Sequence, residues 1–152
     1  MRVLELIEGI EMTDCCESKT SDHVPPKRLR CPLNGKEYGS VSFKTILHHL
    51  SEPWSNSLIE QGYYFCSDTD CEVVYFGQDE TLIEKSALRT DVGVKEVYPE
   101  RLVCYCFGVS YRVAKDNNFV VDFVKEKTKQ SLCSCETSNP SGRCCLKDFP
   151  RQ

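Results

Sequence analysis

A chain of 152 residues with 11 cysteines and a formal charge of −4 is one ordinary domain or two small metal-stapled lobes. The acidic balance excludes a nucleic-acid footprint, which needs a basic face, and no apolar run reaches membrane-spanning length. An odd number of cysteines in clustered pairs, behind an acidic start with no secretory leader, argues against a closed disulfide framework. It argues instead for metal-bound thiolates in a reducing cytoplasm.

In chain order, residues 1–30 read as a flexible tail. Met12 to His23 is polar without period, Pro25-Pro26 stiffens the exit, and Met12 is an alternative start to Met1. Cys15-Cys16 is expected to be a pair of unbound thiols, with capture of a soft ion such as Cu(I) as the alternative. The ordered domain is expected over 31–152, as a zinc-pinned β lobe (31–100) and a cluster-binding helical lobe (101–150). Cys31-Pro-Leu-Asn-Gly resembles the first knuckle of a zinc ribbon, with Asn34 where a second cysteine would stand. From Val41 to Leu50, Phe43, Ile46, Leu47 and Leu50 recur at helical spacing, and Pro53 closes the helix.

Gly62 to Gly77 predicts a hairpin, two aromatic and β-branched runs around Ser67-Asp-Thr-Asp70. Cys66 and Cys71 flank its turn, and a Cys-x4-Cys spacing there converges two thiolates on one metal. Cys31 supplies a third ligand, and His49, Asp70 or water the fourth. Strands are expected over 81–84 and 90–97 around a turn at 85–88.

The last third holds six more thiols. Extended backbone would put Cys104 and Cys106 on one side, serving one iron, and turn Tyr105 away. Ser110 caps a short helix to Lys115, and Asn118 caps a second one presenting Val120, Phe123, Val124 and Lys127. Cys133-Ser-Cys135 and Asn139-Pro-Ser-Gly-Arg-Cys-Cys145 then bring thiols back. Spacing alone does not choose among Cys133, Cys135, Cys144 and Cys145. A [2Fe–2S] cluster suits this constellation better than lone zinc. The fold class is α+β, a small zinc-ribbon-like β-hairpin lobe on a short-helix lobe.

Taken together, the segments Tyr64–Phe76, Val92-Gly-Val-Lys-Glu96, Val103-Cys-Tyr-Cys106 and Asn139–Cys145 resemble the N-terminal metal-binding domain of CopZ-type copper chaperones. The cluster loop is also similar to that of bacterioferritin-associated ferredoxins. The first resemblance implies a [2Fe–2S] cluster on Cys104, Cys106, Cys135 and Cys145, with Cys144 as substitute for Cys145. It implies zinc on Cys31, Cys66 and Cys71, with His49 as the fourth ligand. The 152 residues contain no Met-x-Cys-x-x-Cys module of the kind that carries Cu(I) in that family. The expectation is therefore an electron carrier or soft-metal-handling protein, rather than an enzyme, that meets a redox partner or a metal-trafficking protein. Nucleic acid and membrane are not expected partners. The alternatives are a non-redox, metal-stapled interaction module and a one-electron Cu(II) reductase.

Overall fold

Alternating aromatic side chains build the sheet that everything else leans on. The computed structural model describes residues 24–55 and 57–151, so Cys15, Cys16 and both candidate starts lie outside the described residues. Strands β1 (Arg28–Arg30), β2 (Glu37–Val41), β3 (Tyr63–Phe65), β4 (Val73–Gly77) and β5 (Leu82–Glu84) form an antiparallel meander, each pairing with its neighbour in sequence. In the β3–β4 hairpin, Tyr64 faces Phe76 and Phe65 faces Tyr75. Side chains alternate between faces at each step, so the sheet has two apolar faces with different tasks.

One face packs Tyr63, Phe65, Tyr75 and Ile83 against Ile46 and Leu50. Those two residues sit on and just beyond α1 (Phe43–His49), which Ser42 caps by accepting from the Lys44 N–H at 3.1 Å. The other face puts Tyr64, Val73 and Phe76 beside Cys31, Cys66 and Cys71. Each fully buried side chain of this size contributes roughly 1.5–3 kcal/mol. The aromatic hairpin is thus the main apolar investment of the molecule.

The second lobe is built from short pieces. A ribbon of β6 (Leu102–Cys104) and β7 (Val109–Ser110) leads into α2 (Tyr111–Asp116), α3 (Asn118–Lys129) and α4 (Cys135–Ser138). Its core gathers Val103, Val109, Ala114 and Val124 around Cys104, Cys135 and Cys145. The molecule is α+β, a five-stranded antiparallel sheet carrying a cysteine triad beside a short-helix region rich in clustered cysteines.

Three local expectations need correcting. Residues 90–97 are not a strand but a loop with a 3-10 turn at Gly93–Lys95. A Cβ at Gly93 would meet the Leu102 carbonyl oxygen at 2.1 Å, so the chain bends there around the ribbon. Asn117, not Asn118, caps α3, accepting from the Phe119 N–H at 3.0 Å, and the buried face is Val121 and Val124, with Phe123 exposed. The tail boundary also moves. Arg28–Arg30 pairs with Glu37–Gly39, because the tight turn at Cys31–Gly35 folds these flanks onto each other.

Candidate metal centres

Three turns deliver the first group of thiols. Cys31 follows β1, and its carbonyl accepts from the Gly35 N–H at 2.9 Å, with Gly35 in the left-handed region at φ 74°. Cys66 extends the hairpin ladder by donating its N–H to Val74 O at 2.8 Å, and Cys71 closes the turn onto Asp68 O at 3.2 Å. The three sulfurs lie within 4.8 Å of one another, and all are buried. Tetrahedral bonds of about 2.3 Å fit such a triangle, and three thiols match a borderline-soft ion such as zinc rather than calcium or magnesium.

Around the triad runs a polar shell. The Asn34 amide donates to Cys66 Sγ at 3.5 Å, to the Tyr38 hydroxyl at 3.1 Å and to Asp68 Oδ2 at 3.1 Å. Lys95, only 2% exposed, donates to Asp68 O at 2.7 Å and Cys66 O at 3.0 Å, with its Nζ 3.8 Å from Cys66 Sγ. Burial works against a thiolate at Cys66. The Asp68 N–H, the Lys95 charge and the Tyr38 hydroxyl outweigh it and hold that thiol below its usual range. Burial pushes Cys71 up to about 11, so this thiol keeps its proton until a cation arrives.

The second group is four thiols joined edge to edge. Cys106 Sγ lies 3.8 Å from Cys135 Sγ, and Cys145 hydrogen-bonds both Cys104 and Cys135. Backbone N–H groups point at the sulfurs: Ser134 N–H to Cys106 Sγ at 3.0 Å, those of Phe107 and Cys106 to Cys104, and that of Cys145 to Cys135. The Cys145 S–H pulls the Cys104 thiol down to about 6, and Cys145 is correspondingly pushed up by Cys104. Among the described residues only the first triad brings three donors within 4.8 Å of one another, so this quartet is spread wider than a single tetrahedral ion needs. Cys104, Cys135 and Cys145 are buried, while Cys106 reaches the surface beside the edge-to-face pair Phe107–Phe123.

Comparison with known proteins places this geometry. A family model described as "Zinc binding domain" (zf_CopZ) matches residues 28–89, the span that contains all three thiols of the triad. The X-ray structure of the Archaeoglobus fulgidus CopZ N-terminal domain superposes with a TM-score of 0.63 at 33% identity, covering 81% of this chain and 100% of that one. The chain belongs to the CopZ N-terminal domain family. The copper chaperone CopZ of A. fulgidus is 38% identical over 123 residues, 77% of this chain, and the match spans 58% of that protein's length.

Within this CopZ-type domain the expected residues fall into distinct places. Cys31, Cys66 and Cys71 meet as one group, and Cys104, Cys106, Cys135 and Cys145 as another. Cys144 is exposed and Cys133 is half-buried against the apolar core of its lobe. His49 is not at the triad. Its Nε2 donates to Thr137 O at 2.7 Å and its Nδ1 accepts from Thr90 Oγ1 at 2.7 Å, so both nitrogens are occupied. Asp70 is exposed and outside the group. Asn34 stands where the knuckle cysteine was missing, as a donor to Cys66. The Cys-x-Cys stretch is not extended either. Tyr105–Gly108 is a turn, with Gly108 at φ 67°, and the sulfur contacts pair Cys104 with Cys145 and Cys106 with Cys135.

Sequence reasoning missed Lys95, which lay within the strand expected over 90–97. It also missed the anchors of the second thiol group. The Thr45 hydroxyl donates to Glu136 O at 2.6 Å and the buried Tyr75 hydroxyl to Pro140 O at 2.6 Å, so the segment between Cys135 and Cys145 is fastened to the sheet lobe. Tyr105 does the same for the Cys104–Cys106 turn, donating to Asp91 O at 2.6 Å and accepting from the Gly93 N–H at 2.8 Å. No helix among the described residues is long and apolar enough to cross a membrane.

Proposed function

We infer that this CopZ-type domain holds a structural zinc ion on Cys31, Cys66 and Cys71 and a [2Fe–2S] cluster on Cys104, Cys106, Cys135 and Cys145. In this reading it serves one-electron transfer within copper or other soft-metal handling. The observation that carries the reading is the wide four-thiol quartet, lined by backbone N–H groups and open at Cys106. Thiolates with N–H donors at sulfur are the usual cradle of such clusters, and those donors tune the potential. When bound, the cluster supplies a single electron. The protein's own part is to hold the thiolates, exclude solvent from three of them and leave the Cys106 edge accessible to a one-electron partner.

The name of the A. fulgidus relative motivates the copper assignment. Anaerobic purification with iron, zinc and sulfide counted per chain, together with the visible spectrum, tests the whole reading. Two irons, two sulfides and one zinc are expected, with colour retained in Cys133→Ala. A colourless preparation binding zinc alone would replace this reading with that of a metal-stapled interaction module.

A further inference from the structure

The two thiol groups share one wall, the loop from Asp91 to Lys95. At its far end Lys95 is buried and spans Cys66 and Asp68, so its position depends on the triad. At its near end the Asp91 carbonyl and the Gly93 N–H clasp the hydroxyl of Tyr105, the residue between Cys104 and Cys106. At Gly93 the loop lies directly against Leu102, where a Cβ would meet the carbonyl oxygen. A buried ammonium held by the Cys66 and Asp68 carbonyls, with Nζ 3.8 Å from Cys66 Sγ, ties its own placement to whatever the triad holds.

We propose that Lys95 and Tyr105 are positioning residues that couple the two sites. A divalent ion in the triad fixes Lys95, Lys95 fixes the Asp91–Lys95 loop, and the loop pre-orders the Tyr105 turn for the group its cysteines hold. The inference rests on the triad being the zinc site. It adds an order of loading, zinc before iron and sulfide, and by linkage the second site must tighten the first by the same factor. Ordering a turn in advance removes part of the entropy cost of binding there, which is sufficient for such coupling.

The test uses the full chain under anaerobic conditions, with zinc alone as probe. Amide hydrogen exchange is followed with and without one equivalent of zinc, and cysteine alkylation read by mass spectrometry reports which thiols the ion protects. Zinc should protect Cys31, Cys66 and Cys71 from alkylation. It should also slow exchange at Cys106 and Phe107, whose N–H groups face Cys104, about tenfold, inside the range of roughly 5- to 150-fold usual for coupled sites. In Tyr105→Phe, the same zinc should protect the triad and the hairpin amides of Val74 and Phe76 as before, yet leave Cys106 and Phe107 unchanged. Lys95→Met should lose the effect, and Lys95→Arg should recover part of it. If the triad is protected while the turn does not respond, or responds equally in Tyr105→Phe, the coupling is wrong and the zinc site stands. If zinc leaves the triad unprotected, both fall.

Discussion

The sheet lobe and the short-helix lobe carry the same kind of side chain at their centres but reach it by opposite routes. Around the triad, thiols are appended to a hairpin whose register is set by aromatic pairs. Tyr64 stacks on Phe76 with ring centres 5.5 Å apart, directly across the β3–β4 pairing. Around the quartet, the longest helix has 12 residues, the ribbon strands have three and two, and the buried neighbours of the cysteines are the small side chains Val103, Val109, Ala114 and Val124. Isolated helices of this length are marginal in water. One lobe places its thiols by packing, and the other depends on its thiols for packing.

The sharpest way to break this comparison is to remove one thiol from the quartet. Cys104→Ala should reduce iron content and visible absorption to background and strip exchange protection from α2 and α3. Zinc content and the sheet amides should stay at wild-type levels. Equal loss in both lobes, followed by hydrogen exchange and metal analysis, would show that they do not differ in kind.

Next in size is the seam. Tyr75→Phe keeps the ring against Phe65 but leaves the Pro140 carbonyl buried without its donor. A cost of about 1–3 kcal/mol is expected in urea denaturation of the metal-loaded protein. A neutral result would mean that the turn at Asn139–Gly142 stands without the sheet.

His49 makes the seam sensitive to acid. Burial holds its pKa below the ordinary value, against the bond to Thr137 O, while Arg89 and His48 push it in the same direction as burial. The unfolded chain therefore takes up a proton near pH 6.5 before the folded one does, and stability falls as pH drops from there toward the folded pKa. The slope from one such group reaches about 1.4 kcal/mol per pH unit. In His49→Gln, denaturation series between pH 7 and 5 should show a flatter acid limb. An unchanged slope would place the acid sensitivity elsewhere.

The smallest effect lies inside the helical lobe. The Thr128 hydroxyl is buried and has no partner among the described residues. Thr128→Val should raise stability by about 1 kcal/mol, read as a shift of the thermal midpoint, because an unmet polar atom is removed at nearly constant volume. Destabilisation would argue that the hydroxyl is satisfied in solution.

What the sequence made legible follows the same divide. Continuous aromatic and β-branched runs around a polar turn announced the hairpin, period-3.6 apolar residues announced α1, and the paired cysteines announced both thiol groups, since all of these are local patterns. The turn at Tyr105–Gly108 was misread as extended because nothing local distinguishes a Cys-x-Cys on a strand from one on a turn. Val92 and Val94 alternate like a strand, but Gly93 lies against Leu102 and binds the Tyr105 hydroxyl, contacts that no local pattern shows. His49 looked free for a metal because Thr90 and Thr137 lie 41 and 88 residues away in sequence. Long-range hydrogen bonds leave no periodic trace.

Along residues 136–140 the seam also has a direction. Thr45, His49 and Tyr75 donate from the sheet lobe, and the atoms that accept are the main-chain carbonyls of Glu136, Thr137 and Pro140. Every residue type offers a carbonyl, so the side chains at 136 and 137 are released from the duty of joining the lobes. Mutational tolerance should therefore be lopsided across the joint: narrow for the three donors, broad for Glu136 and Thr137 opposite them. A segment fastened by its backbone can change its surface, and with it whatever it meets, without coming loose.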